Sequence, residues 1–270
     1  MKNHNQKPIK SYNSLNLLKI FLKIIKSSRY QIYSPNQDDL ENIEKSLSKD
    51  RFARYLAATD GNRKEAIYLY AWNAAVSATF YTPLQTLEVT LRNQIHECFT
   101  KTYCPHWFDR SAMKFDTKKL DQLDIVKSRL KDKSVPITPS NVVAELTLGF
   151  WVDLFRSDYE ENLWQPALCK AFPYHDGPIK RKKVLDRLTK IKRFRNRIAH
   201  HKSIFEMGVK KTDVKGEHTR KKGIKNLKIY YQEILETIGW MSPSKKAWVE
   251  AHNHVEEILA RPQTKPGIRF

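Results

Sequence analysis

Apolar residues recur three and four positions apart along most of the chain, and no segment alternates apolar and polar residues as a half-buried strand does. An α-helix brings residues with this spacing onto one face, so the pattern predicts a succession of amphipathic helices. With 270 residues the chain is long enough to bury a substantial core in one large domain. The sequence therefore predicts an all-α fold, with one helical bundle domain over residues 38–260. A variable basic extension, in part helical, is predicted over residues 1–37, and a flexible tail over residues 261–270.

Turn residues, prolines and capping side chains give the expected helix boundaries. Two short helices are predicted within residues 38–57, joined near Ser48, and a helix that begins at Arg63 is predicted to break at Pro83. The remaining predicted helices cover residues 84–100, 116–133, 142–155 (capped by Ser140 or Asn141), a segment containing residues 193–200, and residues 227–239 and 247–259. Residues 210–226 are rich in lysine and lack periodicity, which predicts a mobile loop. Five tryptophans are interpreted as core anchors: Trp107, Trp151, Trp164, Trp240 and Trp248.

The positive charge is large and unevenly distributed. The whole chain carries a net charge of +20, and residues 180–225 contain eighteen Lys/Arg against four Asp/Glu, which gives +14 in that segment alone. A basic field of this density favours a polyanionic partner, with nucleic acid first and an anionic membrane surface second. A solvated lysine face is the alternative.

The cysteine and hydropathy patterns point to a cytoplasmic protein without a metal or another cofactor. Cys98 and Cys104, flanked by His96 and His106, match none of the usual zinc spacings, and three cysteines are an odd count for a disulfide framework. Reduced thiols in a cytoplasmic protein are the better interpretation. Residues 15–25 are apolar but interrupted by lysines and lack a cleavage site, so neither a signal peptide nor integral membrane association is predicted.

The segment of residues 193–201 carries the most informative polar residues. At about 100° per residue, Arg195 falls on the same stripe as Val184, Leu188, Ile191 and Ile198, so its guanidinium is expected on the core-facing side. An unpaired charge is costly to bury, and a guanidinium in that position needs a partner.

A second helix offers that partner. Glu88 lies on the apolar stripe of the helix predicted over residues 84–100, with Arg92 and His96 following at intervals of four. One helix carries a negative charge and the other a positive charge on an apolar face. This arrangement predicts an ion pair between Glu88 and Arg195. The pair either orients the guanidinium toward a cleft or only fixes the helix register.

Arg195, Asn196 and His200 together resemble the R-x4-6-H signature of the HEPN superfamily, whose members are all-helical domains and very often metal-independent ribonucleases. Residues 68–83, 87–93, 148–151 and 195–201 resemble, in the same order, motifs of its Abi-like branch, the bacterial abortive infection proteins. The resemblance covers roughly residues 40–205. It departs at Lys202 and Ser203, where that branch commonly has an acid and a proline.

The resemblance implies a HEPN-like helical bundle, a homodimer that pairs two motifs in one cleft, and endoribonuclease activity in a toxin or phage-defence effector, with a neutralising antitoxin as a possible partner. The resemblance and the predicted ion pair together give the candidate catalytic set Arg195, His200, Asn196 and Glu88, with His201 and Arg92 as secondary candidates. Histidine exchanges protons near neutral pH and arginine matches phosphate oxygens, so these residue types suit metal-free cleavage of RNA. Contacts with RNA are expected from nearby cations: Lys192, Arg193, Arg197, Lys210, Lys211, Lys221 and Lys222.

Two other functions stay open at this point. A non-catalytic RNA-binding protein, such as the protein component of a small-RNA complex, would need only the cations. A peripheral membrane adaptor would use the basic residues of the N-terminal extension.

Overall fold

The computed structural model describes residues 34–109 and 113–265. All regular elements in these ranges are helical, so the all-α prediction is confirmed. Residues 1–33, which make up most of the predicted basic extension, and residues 266–270 of the predicted tail lie outside the described residues.

The described residues form eleven α-helices joined by short loops and by 3-10 and π-helical turns. The helices are α1 (Gln37–Leu47), α2 (Lys49–Ala58), α3 (Arg63–Thr79), α4 (Tyr81–Thr102), α5 (Thr117–Asp132), α6 (Pro139–Glu145), α7 (Leu148–Asp153), α8 (Arg181–Ala199), α9 (Gly216–Met241), α10 (Pro243–His252) and α11 (Val255–Ala260).

Capping side chains define where several helices begin. The Asn36 side chain accepts a hydrogen bond from the Asp39 backbone at the start of α1, and Asn62 and Asp116 do the same for α3 and α5. The predicted break at Pro83 falls three residues earlier, at Phe80, so that the proline lies in the first turn of α4. A proline is tolerated there because its missing N–H would have no partner within the helix.

The predicted single helix over residues 142–155 is wrong, because two helices occupy this stretch. Leu146 has an extended backbone, and the Thr147 side chain accepts a hydrogen bond from Phe150 N–H, which starts α7. The cap of α6 is Thr138 and neither Ser140 nor Asn141. The prediction of one helix over residues 247–259 is also wrong. Asn253 is extended between α10 and α11, where its amide donates to Thr79 O and accepts from Val255 N–H.

The predicted mobile loop over residues 210–226 is wrong from Gly216 onward, because α9 begins there. The buried positions of its first turns are Gly216, Thr219 and Gly223, followed by Leu227. They have helical spacing but no large apolar side chain before Leu227, so apolar periodicity cannot reveal the helix.

One continuous core joins the helices, with α9 packed against α4 and α10. Trp107, Trp151, Trp164 and Trp240 are buried, as predicted. Trp248 is 51% exposed, so its predicted role as a core anchor is wrong; it stacks on His252 at the surface of α10. None of the helices in the described ranges is both long and apolar enough to cross a membrane.

Candidate active site

Helix α8 carries the motif and is fixed to the core by an apolar face. Its buried residues are Val184, Leu188, Ile191 and Phe194. Phe194 stacks on Tyr230 of α9, with ring centroids 4.5 Å apart. The buried stripe thus passes through Phe194, and the sequence expectation that Arg195 occupies it is wrong. Arg195 lies beside the stripe, with its side chain 42% exposed.

The predicted pair of Glu88 and Arg195 forms across α4 and α8. Glu88 Oε2 lies 3.7 Å from Arg195 Nη2, which is an ion-pair distance and longer than a hydrogen bond. The Glu88 side chain is 21% exposed. Arg92, one turn further along α4, donates a 3.3 Å hydrogen bond to Ala144 O at the end of α6. The guanidinium of Arg195 thus lies at ion-pair distance from a carboxylate, and the Arg195 side chain is partly exposed to solvent.

The end of α8 presents two histidines. His200 is the C-cap, and the following residues close a Schellman motif in which His201 N–H donates to Ile198 O and Lys202 N–H to Arg197 O, both at 2.9 Å. His201 adopts a left-handed backbone with φ 52°. Both imidazoles are exposed, and neither forms a hydrogen bond or ion pair with another described residue. The Asn196 side chain is likewise exposed.

The segment after the motif is buried and held in place from two helices. On one side, Asn73 Oδ1 of α3 accepts hydrogen bonds from Ile204 N–H at 2.7 Å and Phe205 N–H at 3.3 Å. On the other side, the Phe205 carbonyl lies against Gly223 of α9, so close that a Cβ there would come within 1.5 Å of its oxygen. The backbone at Ile204 and Phe205 is thereby fixed relative to the core.

A cleft of about 590 Å³ that is lined in part by His201 lies between α2 and residues 201–209. We refer to it as the basic cleft. Its charged and titratable lining residues are Asp50, Arg51, Arg54, Tyr55, Arg197, His201, Lys202 and Glu206. The sequence interpretation did not include any residue of α2 in the site, because no local signal connects α2 with residues some 150 positions later. Burial raises the pKa of Tyr55 far above its ordinary value, with the charge of Glu206 adding to the effect.

Glu206 organises the arginines of the basic cleft. It is 5% exposed, and its Oε1 accepts from Arg54 Nη1 at 2.5 Å, Arg197 Nη2 at 2.7 Å and Ser203 Oγ at 2.7 Å. Two guanidiniums share one carboxylate, so positive charge remains in excess. The side chains of Arg54 and Arg197 are 39% and 29% exposed, so both remain partly accessible from the cleft. Arg197 Nε also donates to Ser203 O, which fixes its guanidinium further.

The other cations that the sequence proposed for RNA contacts lie in different surroundings. Lys192 pairs at 3.0 Å with Asp153, which also binds the buried Lys119 at 3.0 Å. Its charge is therefore offset within the protein. Arg193, Lys210 and Lys222 are exposed. Lys221 pairs with Glu217 on the surface of α9 at 3.1 Å, and Lys211 lies in a 3-10 turn just before that helix.

His96 and Cys98 of α4 are part of the packed interior. Trp107 Nε1 donates a 2.9 Å hydrogen bond to His96 Nδ1, and burial lowers the pKa of His96. Burial also raises the pKa of Cys98 to about 11, which keeps it a thiol at neutral pH. No group of three metal-ligating side chains occurs within residues 34–109 and 113–265.

No family model, curated protein or solved structure matches this chain.

Proposed function

We propose that this protein is a metal-independent endoribonuclease of the HEPN type. The observation that carries the proposal is the end of α8, where two exposed imidazoles without internal partners follow a half-exposed guanidinium held by Glu88. Proton transfer and charge stabilisation are the two tasks of metal-free RNA cleavage, and these side chains supply both.

In the proposed reaction, neutral His200 takes the proton of the ribose 2′-hydroxyl as the 2′-oxygen attacks the adjacent phosphorus. Arg195 stabilises the negative charge on the non-bridging oxygens, and Glu88 acts as a positioning residue for its guanidinium. The bond from phosphorus to the 5′-oxygen breaks, and a protonated imidazole donates its proton to that oxygen. The products are a 2′,3′-cyclic phosphate and a 5′-hydroxyl end.

The second imidazole comes, in this proposal, from another copy of the chain. His200 and Arg195 are five residues apart on one helix, and a homodimer would bring two such sets to one cleft. His201 is the alternative proton-transfer residue within the same chain. A cytoplasmic toxin or phage-defence effector, restrained by an antitoxin, is the biological role that the resemblance favours.

Incubation of the pure protein with single-stranded and structured RNA in excess EDTA, followed by analysis of the product ends, tests the proposal. We expect cyclic phosphate and 5′-hydroxyl ends from the wild type. His200→Ala is expected to lower the rate by about 10² or more, the usual contribution of general acid–base catalysis. His254→Ala, an exposed histidine at the start of α11, is the matched control and should keep the wild-type rate.

Failure of the wild type to cleave any RNA, while still binding it, would reject the nuclease in favour of a non-catalytic RNA-binding protein. A wild-type rate in His200→Ala together with a lost rate in His201→Gly would transfer the proton-transfer role to His201.

A further inference from the structure

The basic cleft combines a cavity of molecular size with an excess of positive charge. Four cations face it against two carboxylates: Arg51, Arg54, Arg197 and Lys202 against Asp50 and Glu206. Its volume of about 590 Å³ is within the range that accommodates a small ligand of nucleotide size.

The cations of the cleft fall into two pairs. Arg54 and Arg197 are held by Glu206, so their positions are set before any ligand arrives. Arg51 and Lys202 are exposed, and neither forms an ion pair with another described residue. A preorganised pair beside two uncommitted cations suits an anion with several oxygens, because arginine binds such groups with parallel hydrogen bonds.

The first turn of α2 adds backbone donors to the same cleft. Ser48, its N-cap, has φ 65° and its side chain makes no capping hydrogen bond. Both Ser48 and Asp50 line the cleft. The first N–H groups of a ten-residue helix are thus left without a side-chain acceptor beside the cations, and such groups favour oxyanions.

We propose that the basic cleft is a phosphate-binding subsite that holds a backbone phosphate of an RNA strand next to the bond cleaved at His200. Arg197 and His201 line the cleft, and His200 lies between them in sequence at the end of α8. A strand that crosses the end of α8 would therefore pass both the cleft and His200. The identity of the phosphate as that of RNA rests on the proposed function, whereas binding of a phosphate group in the cleft does not.

The test compares two double variants that lose the same charge. Arg51→Gln with Lys202→Gln removes the uncommitted cations of the cleft. Arg129→Gln with Lys118→Gln removes one arginine and one lysine that are exposed on α5 and have no ion pair with a described residue. Two probes are used: a 2′-O-methyl oligoribonucleotide, which has no 2′-hydroxyl to react, and inorganic tripolyphosphate. Oligonucleotide binding is followed by fluorescence anisotropy over a series of salt concentrations, and tripolyphosphate binding by isothermal titration calorimetry.

We expect the cleft variant to flatten the slope of log K against log salt by up to about 1.4, since each single-strand phosphate contact contributes about 0.7. Affinity at 0.1 M salt should fall on the order of tenfold, as the same relation implies. The control variant should stay within about twofold of the wild type. Equal binding by the two double variants, to the oligonucleotide and to tripolyphosphate, would overturn the proposal.

Two further outcomes identify the source of the phosphate. A loss in the cleft variant that is confined to tripolyphosphate would keep the phosphate site but reject RNA as its ligand. A loss of oligonucleotide binding, in a protein whose wild type does not cleave native RNA, would support the subsite and reject the nuclease. The two proposals therefore fail separately.

Discussion

Among the single residues of the motif, His201 has a strained backbone. His201 holds a left-handed conformation with φ 52°, at the position of a Schellman motif that glycine usually occupies. A residue with a Cβ is destabilised in this conformation by roughly 1–2 kcal/mol. Glycine would relieve the strain, but it also raises the conformational entropy of the unfolded chain, which offsets part of the gain.

His201→Gly is therefore expected to raise the free energy of unfolding by up to about 1 kcal/mol, as measured by urea titration. His200→Gly is the control, because His200 has an ordinary φ of −93° and gains nothing from glycine. A loss of stability in His201→Gly would mean that its imidazole makes a stabilising contact. The variant also removes that imidazole from the cleft without breaking the helix end.

The ion pair of Glu88 and Arg195 is expected to contribute little to stability. A buried pair would cost about 3 kcal/mol to break, but the observed pair is 3.7 Å long and Arg195 is 42% exposed. We expect Arg195→Ala and Glu88→Gln each to lower the free energy of unfolding by less than about 1 kcal/mol, as exposed pairs do. Arg195→Ala should nonetheless abolish RNA cleavage. A large drop in stability, detected by thermal or urea unfolding, would show that the main role of the pair is to stabilise the fold.

Among the contacts between elements, the close packing of helix α9 against Phe205 depends on Gly223. Gly223 allows the Phe205 carbonyl to approach the helix backbone, which no other residue permits, because a Cβ would lie 1.5 Å from that oxygen. Gly223→Ala should lower the free energy of unfolding by about 3 kcal/mol or more, through forced displacement of the backbone.

The matched control for this variant lies in the same helix. At Gly239 a Cβ would meet only the flexible Lys246 side chain, at 3.1 Å. Gly239→Ala should be neutral, or stabilise by up to about 1 kcal/mol through helix propensity. Equal melting temperatures of the two variants would contradict the assigned role of Gly223.

Helices α5, α7 and α8 are joined by the carboxylate of Asp153. Burial acts to raise its pKa, but hydrogen bonds and charge from Lys119 and Lys192 outweigh burial and bring the pKa below its ordinary value. Because the pKa of Asp153 is lower in the folded protein, its interaction with the two lysines stabilises the fold fully above the unfolded-state pKa of about 3.9. This contribution is lost as the pH falls through the pKa of Asp153 in the folded protein.

Asp153→Asn should therefore lower the free energy of unfolding at pH 7 by about 3 kcal/mol, since the buried Lys119 loses its counter-charge. The difference from the wild type should shrink as the pH falls below about 4. Urea titrations at pH 7 and pH 3 measure it. An unchanged difference at the two pH values would show that the loss comes from packing and not from charge.

At the scale of the whole molecule, the proposed reaction requires two motifs. Each chain supplies one Arg195 and one His200, and an acid and a base are both needed. We expect light scattering at micromolar concentration to show a homodimer. A strict monomer with full RNA-cleaving activity would contradict this arrangement and direct attention to His201 as the second imidazole.

Helical periodicity and turn residues in the sequence predict the helical class and the starts of α1, α2, α3 and α5, because these signals come from neighbouring residues. The apolar stripes of two helices also predict the pairing of Glu88 with Arg195. The sequence failed at α9, where glycine and threonine replace large apolar side chains on the buried face. It also failed to place Arg195, because Phe194 competes for the same stripe. The basic cleft depends on contacts between distant parts of the chain that local sequence patterns do not reveal. Arg54 and Glu206 are 152 positions apart, and they meet only because Gly223 and Asn73 hold the segment after the motif against the core.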